Sequence, residues 1–194
     1  MFEKETILKI LQNFKEGNQL VLEEKEDDGK AELAIVSNNY IFAISLSHQN
    51  KIKAFKHQKV ADWIVLEFLN SKEVVLHLIE LKRSIKTNSW QKIKEQFKGA
   101  YEHSALLKGL FDYEIKDVIC YSAYVFDKLN LESTSNPILL KNSLGNDEYK
   151  SAIDWKKEKI SMHNIDFLHV KIELNLENGI GKGCYQIKRI INNE

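Results

Sequence analysis

The chain has 194 residues, and its 28 basic side chains are matched by 28 acidic ones, for a formal net charge of zero at pH 7. With 43% hydrophobic residues, one proline and eight glycines, the composition excludes collagenous, low-complexity and disordered classes, and the neutral balance argues against a histone-like binder held by charge alone. Two cysteines, Cys120 and Cys184, are too few for a disulfide framework or a four-thiolate zinc site, and no apolar run approaches the roughly 20 residues that cross a bilayer.

The length suits one domain over 1–194. Glu3 and Glu5 stand where a signal peptide needs an apolar stretch, so the expectation is a soluble cytoplasmic protein with no membrane partner. Of the 28 cations, Arg83 and Arg189 are the two arginines, which leaves 26 lysines. The acids Glu23, Glu24, Glu26, Asp27 and Asp28 gather near the start, while Lys51, Lys53, Lys56 and Lys59 form a basic stretch.

Ile7, Leu8, Leu11 and Phe14 lie on one helical stripe, predicting a helix over 3–16 that ends at Gly17-Asn18. Gln19–Glu24, Ala31–Ser37 and Tyr40–Leu46 read as short strands broken by the turn signals Asp28-Gly29 and Asn38-Asn39, an antiparallel meander. After the polar 51–59 connection, Trp63–Leu69 and Val74–Leu81 are nearly continuous apolar runs around Asn70-Ser71-Lys72, as central strands covered on both faces would be. A helix is predicted from Asn88, capped by that residue with Gln91 as its partner, to about Leu110. Another strand follows over 115–125. Residues 127–163, polar and holding Pro137, read as an insertion or lid with a short helix around 152–159. Leu168, Val170, Ile172 and Leu174 alternate with polar residues, and a strand over 184–191 after the Asn178-Gly179 turn predicts a half-exposed closing hairpin. The fold class is α/β in the α+β sense, with a mixed central sheet flanked by helices.

The chemistry concentrates between Asp62 and Lys82. Alternate residues place Val74, Leu76, Leu78, Glu80 and Lys82 on one face of the second strand, and Asp62, Ile64, Leu66 and Phe68 on the same face of the first if the hairpin folds about Ser71. One end of a buried apolar face then gathers two carboxylates and an ammonium. Buried charge must be paired or bound to a metal. Two carboxylates beside a backbone carbonyl suit a hard cation such as Mg²⁺, and a neighbouring lysine can hold the attacking water or stabilise charge on a phosphate. The bland alternative is a Glu80–Lys82 surface ion pair worth little.

These residues resemble the PD-(D/E)XK nuclease superfamily, with its restriction-endonuclease-like fold. Asp62 matches the first acid, Glu80-Leu81-Lys82 the (D/E)XK strand, and Gln96 the glutamine often found on the following helix; Ala61 stands where the family's name has proline. The match covers about 60–125, with the N-terminal meander and C-terminal hairpin as additions. The resemblance implies one or two Mg²⁺ ions, with Mn²⁺ as a substitute, held by Asp62, Glu80 and the Leu81 carbonyl, with Lys82 at the nucleophile and Gln96 in the site. The implied activity is metal-dependent hydrolysis of nucleic-acid phosphodiesters, DNA before RNA, in restriction, repair or phage defence. Lys51, Lys53, Lys56, Lys59 and Lys92 are the expected phosphate contacts. Cutting both strands of a duplex suggests a homodimer. The rival expectation is a non-catalytic nucleic-acid-binding or interaction module of the same fold, or an RNA-directed nuclease.

Other motifs carry little. Glu114-Ile115-Lys116 repeats the Glu-x-Lys pattern without a preceding acidic strand. Gly179-Ile180-Gly181-Lys182-Gly183 lacks the Ser or Thr and the helix of a phosphate loop and reads as a turn. His77 and Cys120, in apolar strands, are expected in the core.

Overall fold

The computed structural model describes residues 14–26, 29–45, 59–129 and 147–187. Nine strands in these segments form one mixed sheet: β1 (Phe14–Glu26), β2 (Gly29–Ser45), β3 (Trp63–Phe68), β4 (Glu73–Ile85), β5 (Glu114–Asp127), β6 (Lys159–Met162), β7 (Ile165–Glu173), β8 (Asn175–Glu177) and β9 (Ile180–Gln186). Helix α1 (Thr87–Phe111) joins β4 to β5, and α2 (Asp147–Lys156) precedes β6. The spatial order is β6-β7-β5-β4-β3-β2-β9-β8, with β1 beside β2. Strands β2, β3 and β4 are antiparallel neighbours, whereas β4, β5 and β7 run parallel. This mixed sheet with flanking helices agrees with the expected α+β class.

Two apolar clusters explain why β3 and β4 have so little polarity. Ile64, Leu66, Val74, Leu76 and Leu78 pack with Trp90, Ile93, Phe97 and Ala100 of α1 and Trp155 of α2. The intervening residues Trp63, Val65, Ile79 and Leu81 pack with Leu20 and Leu22 of β1, Leu33 and Ile35 of β2, and Ile119 and Tyr121 of β5. The helical layer thus covers one face, and the β1–β2 arm with β9 folds over the other. Gly181 makes the close approach of β9 possible: a Cβ there would lie 2.5 Å from the Val125 side chain.

The fold revises several expectations. Residues 14–16 belong to β1, where Phe14 stacks on Phe42 with ring centroids 5.3 Å apart; the rest of the predicted opening helix lies outside the described residues. The three-strand meander is two long strands, because Asn38-Asn39 sits inside β2. Gly17 pairs with Ile41 and Gln19 with Val36, so residues 37–40 bulge opposite Asn18 alone. At that bulge β2 exchanges β9 for β3 as its second neighbour. A local turn signal is used here to bend a strand rather than end it.

The expected closing hairpin is also rearranged. Strand β7 pairs with β5 and β6, while β9 crosses to β2 and forms its hairpin with the short β8 through Asn178-Gly179. Both faces of β7 are covered: Phe167 and His169 are buried, and Leu168 and Val170 pack on the opposite cluster. Within the segment expected as an insertion or lid, Trp155 is fully buried edge-on to Trp90 at 5.0 Å, and Ile160 and Met162 are buried in the same cluster. The helix there runs over 147–156 rather than 152–159. Residues 130–146 of that segment lie outside the described residues.

Helix α1 begins one residue earlier than expected. Ser89, not Asn88, ties its N-terminus, accepting the Lys86 backbone N–H at 2.7 Å, and Gln91 instead donates to Ser151 of α2 at 3.1 Å. Its end is set by Asp112 in the left-handed region, whose N–H returns to the Lys108 carbonyl at 3.1 Å.

Candidate active site at the end of the β3–β4 hairpin

The hairpin register follows from its turn. Asn70 accepts the backbone N–H groups of Lys72 and Glu73 at 2.9 and 3.0 Å, and the Leu69 N–H reaches the Glu73 carbonyl at 2.9 Å. This Asx-type clasp is what Asn contributes to turns. It centres the hairpin on Ser71, with Phe68 opposite Val74 and Trp63 opposite Ile79. The hairpin thus folds about Ser71 as expected from the sequence, and continuing its register brings Asp62 to Glu80.

Beyond Trp63 the ladder is replaced by side chains. The Leu81 N–H donates to Asp62 Oδ2 at 2.7 Å, and the Asp62 N–H donates to Glu80 Oε2 at 3.1 Å. Each acid therefore holds the backbone of the strand opposite. Leu81 stands between them with its side chain in the cluster of the other sheet face.

Glu80 is completely buried, and the Lys82 ammonium lies 2.8 Å from its Oε1 as an ion pair without hydrogen-bond alignment. Lys82 also reaches Oε1 of Glu24 at 3.3 Å, with 19% and 10% of the two side chains exposed. This is not the weak surface pair that the bland alternative supposed. Burial, followed by the neighbouring Asp62 carboxylate, holds Glu80 well above the ordinary carboxylate range, against the opposing pull of Lys82. Burial by itself would lower the pKa of Lys82, but the carboxylates of Glu80, Asp62 and Glu24 outweigh it and raise the value. The second Glu-x-Lys pattern, Glu114-Ile115-Lys116, lies at the surface instead. Glu114 and Lys116 are 64% and 41% exposed, and Lys116 pairs with both Glu114 and Glu73 at the surface.

Gln96 supports the acidic strand from behind. Its backbone carbonyl accepts the Ala61 N–H at 3.0 Å, and its side-chain amide donates to the Val60 carbonyl at 3.4 Å. Gly99, one turn on, faces the same segment: a Cβ there would lie 2.0 Å from the Lys59 carbonyl oxygen. The polar stripe of α1 is therefore a docking face for residues 59–61, and Gln96 acts on the backbone leading to Asp62. The sequence showed Gln96 as a polar helix residue; its partner was not legible.

Among the expected phosphate contacts, Lys59 is exposed and paired with Glu95, and Lys92 is exposed; Lys51, Lys53 and Lys56 lie outside the described residues. Glu24 was not singled out by the sequence, which showed it only as one of a run of acids.

Two further buried polar networks flank the sheet. His77, buried as expected, bridges Tyr121 at 2.9 Å and Glu67 at 3.3 Å. Glu67 also takes bonds from Ser37 and, at 3.0 Å, from Asn39 at the β2 bulge. Burial works to raise the Glu67 pKa, yet the bonds from His77, Ser37 and Asn39 bring it down to about 2. On the helical side, His169 meets Ser122 at 2.9 Å amid Trp90, Phe97 and Trp155. Its burial, and then Lys171 nearby, lower its pKa to about 3. Cys120 is buried, as expected, and burial raises its thiol pKa.

Comparison of the chain with protein-family models, with curated proteins and with solved structures gives no match. Among the described residues, no helix is long and apolar enough to cross a membrane, and no three His, Cys, Asp or Glu side chains form a group arranged to hold a metal ion.

Proposed function

We propose that the chain is a divalent-cation-dependent phosphodiesterase acting on nucleic acid, DNA before RNA, of the restriction, repair or phage-defence kind, with Asp62, Glu80 and Lys82 as its working groups. The observation that carries this reading is the meeting of Asp62, Glu80 and Lys82 at one end of an otherwise apolar sheet face, with the central acid fully buried. A buried carboxylate crowded by a second acid is costly to keep for packing alone. The strand–strand–helix–strand order of β3, β4, α1 and β5 also supports it, since it is the order in which the resembled superfamily arranges its acids and its lysine.

The donor set is chemically suited to Mg²⁺ or Mn²⁺. It offers carboxylate oxygens with neither thiolate nor imidazole, and two such ligands leave positions for water and substrate oxygens, as these hard cations prefer. Asp62 and Glu80 would hold the ion, with the Leu81 carbonyl as the further oxygen that the resemblance implies. When bound, such an ion lowers the pKa of a coordinated water and stabilises charge on phosphate oxygens. Lys82, part-exposed above Glu80, presents its ammonium to a water or a phosphate oxygen from the protein side. Gln96 fixes the 60–61 backbone and so the direction of Asp62. The exposed lysines 59 and 92 and the basic stretch 51–56 would meet the phosphate backbone, and a two-fold dimer would place two such sites on a duplex.

The rival is a non-catalytic module, favoured by the fact that Lys82 already neutralises Glu80 in an ion pair. Incubation with plasmid, linear and single-stranded DNA and with RNA, with Mg²⁺ or with EDTA, separates the two. Nicking or cutting that requires the cation and vanishes in Asp62→Asn is the expected result. Intact substrates under all conditions would overturn the nuclease reading.

A further inference from the structure

The β1–β2 arm was expected only as an addition to the core, yet it enters the candidate site. Glu24, 58 positions before Lys82 in the chain, brings its carboxylate to 3.3 Å from the Lys82 ammonium. The arm is fixed there by an independent contact, because the indole N–H of Trp63 donates to the Glu23 carbonyl at 3.2 Å. The residue before Glu24 is thus bonded to the residue after Asp62. Leu22 is wholly buried on the same arm, so Glu24 approaches from packed structure rather than from a loose strand.

We propose that Glu24 is a positioning residue for Lys82, sharing the ammonium with Glu80 so that it is held in one orientation; the inference rests on the phosphodiesterase reading above. A lysine side chain has four rotatable stem bonds and a compact point charge, so a single carboxylate leaves its head free to swing. A second carboxylate, on another strand, removes that freedom before substrate arrives, and ordering done in advance is not charged to the reaction. Glu24 is not a metal ligand in this scheme. Its Oε1 lies against the Lys82 ammonium.

The test compares wild type, Glu24→Gln, Glu24→Asp and Glu80→Gln by cleavage kinetics with Mn²⁺ and by Mn²⁺ calorimetry on the full chain. The expected result for Glu24→Gln is a kcat lowered about tenfold with KM and Mn²⁺ affinity within twofold of wild type. Glu24→Asp should regain part of kcat. The Lys82 side-chain NMR signal, assigned with Lys82→Arg, should shift in Glu24→Gln, a readout independent of turnover. An unchanged kcat and an unchanged Lys82 signal would make Glu24 a bystander. A Mn²⁺ affinity lost as fully as in Glu80→Gln would make it a ligand, and either result overturns the proposal. Wild-type protein that neither cleaves nor binds Mn²⁺ would sink the phosphodiesterase reading itself, whereas active wild type with a silent Glu24→Gln would sink this inference alone.

Discussion

Asp62 and Glu80 are bound to each other's strands: Glu80 accepts the Asp62 backbone N–H at 3.1 Å, while Asp62 accepts the N–H of Leu81 at 2.7 Å. The two acids therefore share one rigid end of the hairpin, and changes at either are expected to be felt at the other.

In the catalytic reading the acids hold the cation and the lysine does not. Asp62→Asn and Glu80→Gln should each weaken Mn²⁺ binding and cleavage together. Lys82→Ala should abolish cleavage and leave Mn²⁺ binding nearly intact. Calorimetry beside a plasmid-nicking assay checks this, and wild-type cleavage rates in all three variants would refute the assignment.

The same residues make a stability prediction that does not depend on activity. Removing one partner of a buried ion pair strands the other, typically at a cost of about 3–5 kcal/mol. Lys82→Met should therefore destabilise the fold by roughly this amount, and adding Glu80→Gln should restore a good part of it. Urea unfolding of the two single variants and the double variant measures the coupling; strictly additive effects would show that the pair is not coupled in the folded state.

Gly99 offers a route to the site from behind. A Cβ at this position would lie 2.0 Å from the Lys59 carbonyl oxygen, which is backbone and cannot rotate away. Gly99→Ala should push residues 59–61 off α1, break the Gln96 contacts and misplace Asp62. The expected readouts are a lower Tm and reduced Mn²⁺ affinity, in contrast to Gly109→Ala on the same helix, where the added Cβ meets nothing within 4 Å.

Acid sensitivity follows from His169 and Glu67. An unfolded imidazole protonates below its ordinary pKa of 6.5, whereas the folded one stays neutral down to about 3. The unfolded state thus binds more protons in that window, so stability falls as pH drops from 6.5 toward 3, by up to about 1.4 kcal/mol per pH unit for one group. For Glu67, whose folded pKa of about 2 lies below the ordinary 4.5, the contribution is present above 4.5 and is lost as pH falls toward 2. His169→Gln should flatten the upper part of the stability profile and Glu67→Gln the lower part. Denaturation midpoints recorded from pH 7 to pH 3 resolve the upper effect and the onset of the lower.

The hairpin was legible in the sequence because its signals are local. Period-2 alternation, a single turn at Asn70-Ser71-Lys72 and the only aspartate between Gly29 and Leu110 fix which residues share a face. The rest depends on distant partners. Asn38-Asn39 looks like a turn until Glu67 supplies a bond to Asn39 and β3 a new neighbour for β2. Likewise, Glu24 reads as one solvated acid in a run until the arm's packing carries it to Lys82. The alternation of 168–174 correctly gave a strand, but could not say that β5 and β6, rather than the following strand, would flank it.

The pairing of β9 with β2 sets an order of events during synthesis. Residues 30–36 of β2 find their second neighbour only in residues 180–186, so that edge stays open until about 150 further residues have emerged. An uncovered strand edge is a template for pairing with another molecule, and slow long-range closure lengthens the exposure. The newborn protein is thus most vulnerable to self-association while its β3–β4 hairpin is already able to form, and the arrival of β9 both seals the sheet and completes the apolar cluster beneath Glu24's arm.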